Sequence, residues 1–125
     1  MIDMKGEVTS AGSEYLYKHA KPAKEDAACL RLARRKGVTI VGKTNLSEFA
    51  VGVSGSNDYF GTPINPIAKD RVPGGSSSGS AVAVGLDLAD VALGTDTGAT
   101  SATSSGFFFS SLVDESGCDA LHPSR

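Results

Sequence analysis

Glycine and serine dominate residues 73–80 (PGGSSSGS), and a second glycine-bracketed turn follows at residues 94–98 (GTDTG). Glycine permits backbone conformations in which successive N–H groups converge on one anionic point. Serine hydroxyl groups donate protons, or act as nucleophiles when a base lies near them. Backbone N–H groups around Thr97 and Gly98 would stabilise an oxyanion. The two turns together are typical of a site that attacks a carbonyl carbon.

Each turn also has an ordinary structural interpretation. Residues 73–80 have the composition of a flexible linker, although the apolar run that follows them favours a folded segment. Residues 94–98 fit a turn that ends a strand, with Asp96 capping it. Spacing alone does not decide between these interpretations and a catalytic site.

A third interpretation places Ser77 at the centre of a nucleophile elbow, because residues 75–79 match the pattern G-x-S-x-G. Such an elbow follows a strand directly, whereas residues 70–73 (DRVP) make a poor strand end. It also needs a downstream histidine, which only His122 supplies. The elbow is therefore disfavoured.

The clearest predicted helix covers residues 24–36, with acidic residues near its start and basic residues near its end. Gly37 follows as a C-cap. Residues 38–41 (VTIV) are a β-branched run between two glycines, which predicts a short buried strand. Helix, short loop and buried strand in this order indicate an α/β fold.

Further elements are expected on either side of the glycine-serine turn. Asn45 is predicted to cap a short helix that runs to Ala50, with Glu48 as its capping-box partner. Residues 78–86 fit a strand or a helix, and their glycine-rich start favours the helix. Residues 91–93 predict a second buried strand that leads into the second turn.

Composition limits the classes of protein to consider. A chain of 125 residues forms one domain at most, and its net charge of −2 gives no basic surface for nucleic acid or anionic membrane. Cys29 and Cys118 are far apart and indicate neither a disulfide framework nor a metal site. No signal peptide or membrane span is apparent. We therefore expect a cytoplasmic protein without nucleic-acid or membrane partners.

Four motifs occur together in one order: GKTNLSEFA at 42–50, FGTPINP at 60–66, PGGSSSGSA at 73–81 and ALGTDTG at 92–98. This series closely resembles the amidase signature family of serine hydrolases. The resemblance implies an α/β fold with a mixed twisted sheet flanked by helices. It also implies hydrolysis or transfer of amide C–N bonds through a serine acyl-enzyme, a small amide substrate and no metal or organic cofactor.

The family uses a Ser–cis-Ser–Lys triad. The resemblance assigns the cis-serine, which relays a proton, to Ser76, after a cis peptide bond from Gly75. It assigns the oxyanion hole to the backbone N–H groups of Thr97, Gly98 and Ala99. These roles come from the motif and not from spacing.

The remaining triad positions depart from the family pattern. The nucleophile is expected at Thr100, where the family has serine, and Ser101 carries the expected side chain one residue later. The family lysine would stand just ahead of Met1, and neither Lys5 nor Lys43 matches its motif.

Residues 99–125 do not continue the family pattern and are rich in serine. We therefore expect a partial amidase domain at 1–98 and a divergent, unstructured tail at 99–125. The expected protein is a truncated and inactive copy of an amidase. The alternative is a small non-catalytic binding or interaction protein that retains the glycine-rich loops; the oligomeric state stays open.

Overall fold

The computed structural model describes residues 1–95 and the backbone of residues 110–112. Its elements are α1 (Glu14–His19), α2 (Ala28–Arg35), a 3₁₀ helix (Glu48–Ala50), α3 (Ser78–Gly85), β1 (Ala92–Gly94) and β2 (Ser110–Leu112). Within these ranges, no helix has the length and apolar character that spanning a membrane requires.

Helix α2 confirms the predicted helix but begins four residues later, at Ala28. The residues before it are tied to the N-terminal segment, because the Asp26 carboxylate accepts hydrogen bonds from the Lys5 backbone N–H at 2.7 Å and from Arg34 Nε at 2.9 Å. Gly37 ends the helix as predicted, with φ +84°. The N–H groups of Gly37 and Val38 bond back to carbonyls of the last turn, which is a Schellman cap.

The predicted buried strand at residues 38–41 is wrong. Val38 and Val41 are 43% and 78% exposed, and the segment has no regular structure. A strand is stable only when a neighbouring strand takes up its backbone hydrogen bonds. The described residues place no strand beside this segment.

The helix expected after Asn45 is also wrong, since only the 3₁₀ turn Glu48–Ala50 forms. The Asn45 side chain does not cap it: its oxygen accepts from the Leu46 N–H at 2.9 Å, and its amide donates to the Gly61 carbonyl. Positive φ values at Phe49 and Ala50 (52° and 58°) prevent an α-helix from continuing.

Of residues 78–86, Ser78–Gly85 form helix α3, as the glycine-rich start favoured, and β1 confirms the second strand one residue further on. Strand β1 pairs in parallel with β2, with Ala92 opposite Ser110 and Gly94 opposite Leu112. Helices beside a parallel pair agree with an α/β class, whereas the larger mixed sheet stays a prediction.

The predicted tail at 99–125 contains strand β2 at Ser110–Leu112, where it is therefore not unstructured. Its other residues lie outside the described ones. The division at residue 98 stays a prediction.

Polar side chains make up most of the interior of the described residues. Apart from glycines, the buried residues in this part of the chain are Leu30, Ala50, Ser13, Ser47, Asn57, Ser78 and Ser80. Many large apolar side chains are exposed, including Ile67 at 84%. Specific hydrogen bonds, more than apolar burial, therefore hold the glycine-serine turn in place.

Candidate active site

Ser78 is the most deeply buried residue of the glycine-serine turn, with no exposed surface. Its hydroxyl donates a hydrogen bond to the Gly55 carbonyl oxygen at 2.9 Å. A Cβ on Gly55 would lie 2.5 Å from Ser78 Cβ, so only glycine permits this approach. Ser78 therefore joins α3 to the preceding loop and is not available for chemistry.

Ser80 joins α3 to β1. Its hydroxyl donates to the Leu93 carbonyl at 2.7 Å and lies 2.7 Å from Thr44 Oγ1. Since the Ser80 proton is used on Leu93, Thr44 is the donor in the second bond. A third contact fixes the same helix, because the Gly79 N–H donates to the Asn45 carbonyl at 2.9 Å. The start of α3 is thereby anchored to the GKTN segment and to the strand.

Ser77 connects the two glycine turns. Its Oγ accepts a hydrogen bond from the Thr95 N–H at 3.0 Å and lies 3.4 Å from the Thr95 carbonyl oxygen. Gly94 passes close by, since a Cβ there would lie 3.3 Å from Ser77 Oγ. These contacts argue against a nucleophile elbow at Ser77, because its hydroxyl is engaged by backbone and no strand precedes it within residues 1–95.

Ser76 differs from the three serines that follow it. Its carbonyl accepts from the Ser47 N–H at 2.9 Å, but its half-buried hydroxyl forms no hydrogen bond with any residue in 1–95. The peptide bond from Gly75 to Ser76 is cis, as the resemblance implies. Among the described serines of the turn, Ser76 is the one whose hydroxyl the fold leaves available.

Asn57 is a supporting residue that the sequence analysis missed. Its amide donates to the carbonyls of Gly12 and Leu46 at 2.8 and 2.9 Å, and its oxygen accepts from the N–H groups of Tyr59 and Phe60 at 3.1 and 2.8 Å. All its donors and acceptors are used, as burial requires. Asn57 thus fixes Leu46, and the N–H of the next residue, Ser47, donates to the Ser76 carbonyl. An asparagine two residues before the tyrosine was the available signal, since it favours an Asx turn.

Lys43 directly precedes Thr44 and Asn45, the residues of the GKTN segment that bond to Ser80 and Gly79. Its Nζ donates to the Val8 carbonyl at 3.0 Å and to Thr9 Oγ1 at 3.3 Å. Partial burial lowers the pKa of Lys43. It makes no hydrogen bond to Ser76. Residues 1–95 contain no cluster of side chains suited to a metal ion.

The other residues predicted for the site are Thr97, Gly98, Ala99 and Thr100, and all four lie outside the described residues, as does Ser101. Thr95 is the last described residue ahead of these positions, and Ser77 holds it beside the glycine-serine turn. The assigned oxyanion and nucleophile positions stay predictions.

Comparisons with known proteins agree with the motif order. The family model described as Amidase matches residues 1–100. The A subunit of glutamyl-tRNA(Gln) amidotransferase from Methanococcus maripaludis strain C6 is 50% identical over 97 residues, which are 78% of this chain and 22% of that protein. Outer envelope protein 64, mitochondrial, of Arabidopsis thaliana is 44% identical over 96 residues, 77% of this chain and 16% of that protein.

A solved structure shows the same local fold. The crystal structure of the A subunit of glutamyl-tRNA(Gln) amidotransferase from Thermotoga maritima superimposes with a TM-score of 0.60 at 40% identity, over 66% of this chain and 18% of that one. The matched part of this chain spans about a fifth of the length of the first of these relatives. The family model covers most of the 125 residues. The chain belongs to the amidase family.

Proposed function

We propose that the site serves the cleavage or transfer of an amide C–N bond through a serine-type acyl-enzyme, with Ser76 as the proton relay. The observation that carries this proposal is the availability of the Ser76 hydroxyl beside Ser77, Ser78 and Ser80, whose hydroxyls are all used by the fold. Membership of the amidase family supports the reaction class. The substrate class is a small amide, and no cofactor is required.

In the proposed reaction, the hydroxyl at position 100 attacks the carbonyl carbon of the amide and loses its proton to Ser76. The N–H groups of Thr97, Gly98 and Ala99 stabilise the oxyanion. The C–N bond then breaks, the amine leaves with the relayed proton, and water releases the acid from the ester. Ser77 supports these steps by fixing Thr95, from which the oxyanion loop starts.

The relay needs a base that accepts the proton from Ser76. No titratable side chain in residues 1–95 forms a hydrogen bond with Ser76, and Lys43 is held by Val8 and Thr9. A threonine at position 100 also adds a methyl group to the attacking residue. We therefore propose that these 125 residues alone are an inactive copy, and we propose the cytoplasm as its location.

A fluorophosphonate probe tests the proposed chemistry when it is combined with chemical rescue. Thr100→Ser restores the family nucleophile, and ethylamine at fixed pH supplies a diffusible amine base. We expect no adduct on the unaltered chain, and an ethylamine-dependent adduct at position 100 of Thr100→Ser. Intact mass and peptide mapping locate the adduct. In the Thr100→Ser background, Ser76→Ala is expected to abolish the ethylamine-dependent adduct, whereas Ser54→Ala is expected to leave it unchanged.

Three outcomes would contradict the proposal. Labelling of Ser77 would favour the nucleophile elbow. Labelling of Thr100 or Ser101 in the unaltered chain without ethylamine would disprove inactivity. A folded Thr100→Ser protein that stays unlabelled with ethylamine would favour a non-catalytic binding protein.

A further inference from the structure

Three aromatic side chains form a cluster on the surface between α1 and the loop after Asn57: Tyr17, Tyr59 and Phe60. The ring centroids of Tyr59 and Phe60 are 4.8 Å apart and those of Tyr17 and Phe60 are 5.3 Å apart, and both pairs meet edge to face. The rings nevertheless stay 40–51% exposed. Aromatic rings that a fold packs together and leaves half exposed form a contiguous apolar patch of the kind that binds a partner.

Hydrogen bonds beneath this aromatic cluster hold it in place. The side-chain oxygen of the buried Asn57 accepts from the N–H groups of Tyr59 and Phe60, at 3.1 and 2.8 Å. Tyr17 belongs to α1, and its N–H donates to the Ser13 carbonyl at 3.0 Å. A surface that is ordered before binding loses little conformational entropy on binding. Because the two loop N–H groups are already used, they do not offer an edge for an added strand.

The free hydrogen-bonding groups of the aromatic cluster are phenol hydroxyls. Those of Tyr17 and Tyr59 make no hydrogen bond with residues 1–95, so each has an O–H to donate. A partner helix would not accept from them along its length, because its carbonyl groups are bonded internally. A proline-rich segment in polyproline II conformation has free carbonyl groups, and its proline rings lack an N–H and pack on aromatic rings. It therefore fits both the rings and the donors.

Charge beside the aromatic cluster narrows the choice of partner further. Besides His19, residues 14–19 and 57–61 carry three charged residues: Glu14, Lys18 and Asp58. The Lys18 ammonium bonds to the Glu14 carboxylate and lies 5.5 Å from the centroid of the Tyr59 ring. The Asp58 carboxylate forms no ion pair with any residue in 1–95. A negative charge next to Tyr59 thus remains uncompensated, and an arginine of the partner would pair with it and stack on a ring.

We propose that the aromatic cluster binds a proline-rich segment of another polypeptide, in polyproline II conformation and with an arginine beside its prolines. The proline rings pack on the three aromatic rings, and the hydroxyls of Tyr17 and Tyr59 donate to carbonyl oxygens of the segment. The Asp58 carboxylate pairs with the arginine. This binding uses none of the residues of the proposed reaction.

A synthetic peptide serves as the probe: one arginine followed by eight prolines, with a fluorophore at one end. Fluorescence anisotropy measures its binding to the full chain, and NMR shift changes locate it. We expect shift changes at the amides of Tyr17, Tyr59 and Phe60. A peptide in which glycine and serine replace the prolines is expected to bind about tenfold more weakly, because it lacks the rings and the preformed conformation. At low salt, glutamate in place of the arginine should weaken binding about threefold.

Two tyrosines of α1 and its neighbouring loop provide a matched pair of variants. Tyr59→Ala removes a ring of the aromatic cluster, and we expect about tenfold weaker binding. Tyr15→Ala is the control, because Tyr15 is 69% exposed on the same helix as Tyr17 but contacts His19 instead of the cluster. It should bind within about twofold of the unaltered chain. Tyr59→Phe keeps the ring and loses the hydroxyl, for an expected loss of about threefold. Circular dichroism checks that each variant is folded.

Several outcomes would overturn the proposal. No binding at millimolar peptide, or equal binding of the proline and the glycine-serine peptides, would contradict it. Equal losses in Tyr15→Ala and Tyr59→Ala would place the peptide elsewhere. Tighter binding of the glutamate peptide than of the arginine peptide would exclude the pairing with Asp58. Self-association of the peptide-free chain that Tyr59→Ala abolishes would identify a second copy as the occupant.

Discussion

The Ser77 hydroxyl accepts a hydrogen bond from the Thr95 backbone N–H at 3.0 Å, and it is the direct link between the two glycine turns in the described structure. Eighteen residues separate the two partners. The loop that carries the assigned oxyanion positions therefore starts at Thr95, which is held by the residue next to Ser76. Ser77, which the G-x-S-x-G pattern would make a nucleophile, acts as an anchor for this loop instead.

Removing this anchor is expected to loosen the start of the second turn. In Ser77→Ala, the Thr95 amide loses its acceptor, and a hydrogen bond of about 1 kcal/mol corresponds to exchange of that amide about fivefold faster. Hydrogen exchange followed by NMR measures the rate. Ser76→Ala is the matched control, with an expected Thr95 rate equal to that of the unaltered chain. Equal Thr95 rates in the two variants would contradict the anchoring role.

Two glycines of α3 are expected to respond oppositely to the same substitution. A Cβ on Gly79 would lie 2.7 Å from the Asn45 carbonyl oxygen, whereas a Cβ on Gly85 would lie 3.4 Å from Pro66 Cγ. Gly79→Ala must push the helix from the GKTN segment, and overpacking of this kind costs about 1–3 kcal/mol. Gly85→Ala is expected to be neutral or to stabilise by up to about 1 kcal/mol through helix propensity. Urea unfolding compares them, and a stable Gly79→Ala would show that the close approach is absent.

Asn57 is expected to contribute more to the free energy of unfolding than Asn65, which lies nearer the surface. Asn57→Ala leaves the buried Gly12 carbonyl and the partly buried Leu46 carbonyl without their donor, which costs about 2–4 kcal/mol. Asn65 also accepts from two N–H groups, those of Ile67 and Ala68, but at an exposed turn. Asn65→Ala should therefore cost less than about 1 kcal/mol. Equal losses in thermal or urea unfolding would disprove the special role of Asn57.

Acid is expected to weaken the attachment of α2 through Asp26. The Lys5 backbone N–H, with Arg34 as a further partner, lowers the pKa of Asp26 in the folded protein. A carboxyl group whose pKa is lower in the folded than in the unfolded state stabilises the fold at pH values above its unfolded-state pKa, which is about 3.9 for Asp. This stabilisation is lost as the pH falls through the lower, folded value.

Asp26→Asn should therefore lower the stability at pH 6 and flatten its dependence on pH below about 4. Unfolding midpoints measured from pH 2 to pH 7 give this dependence. Glu25→Gln is the control for loss of a neighbouring negative charge, because Glu25 is the residue before Asp26 and its side chain makes no hydrogen bond within residues 1–95. An unaltered acid limb in Asp26→Asn would show that the contact with Lys5 does not form in solution.

Local patterns predicted the elements whose stabilising contacts lie close in sequence. The Gly37 cap, where the N–H groups of Gly37 and Val38 bond to Arg34 and Ala33, is of this kind. Helix α3 and strand β1 were predicted from their own residue patterns, although α3 also bonds to Asn45 and β1 pairs with β2, both far away in sequence. The absence of a strand at residues 38–41 was not predictable from their β-branched side chains, because a strand forms only beside a partner strand. Asn57 was missed for a related reason: two of its four side-chain hydrogen bonds reach Gly12 and Leu46, 45 and 11 residues away. Asn45 had the residue type of a helix cap, but its side-chain oxygen accepts from the neighbouring Leu46 N–H and its amide donates to the Gly61 carbonyl.

The central claim is that the fold uses the hydroxyls of Ser77, Ser78 and Ser80 and leaves that of Ser76 for chemistry. Urea unfolding of the four single alanine variants tests it most directly. We predict that Ser76→Ala stays within about 0.5 kcal/mol of the unaltered chain. Ser77→Ala is expected to lose about 1 kcal/mol, and Ser78→Ala and Ser80→Ala about 1–3 kcal/mol. A loss in Ser76→Ala as large as that in Ser78→Ala would show that Ser76 is a structural residue and would contradict the claim.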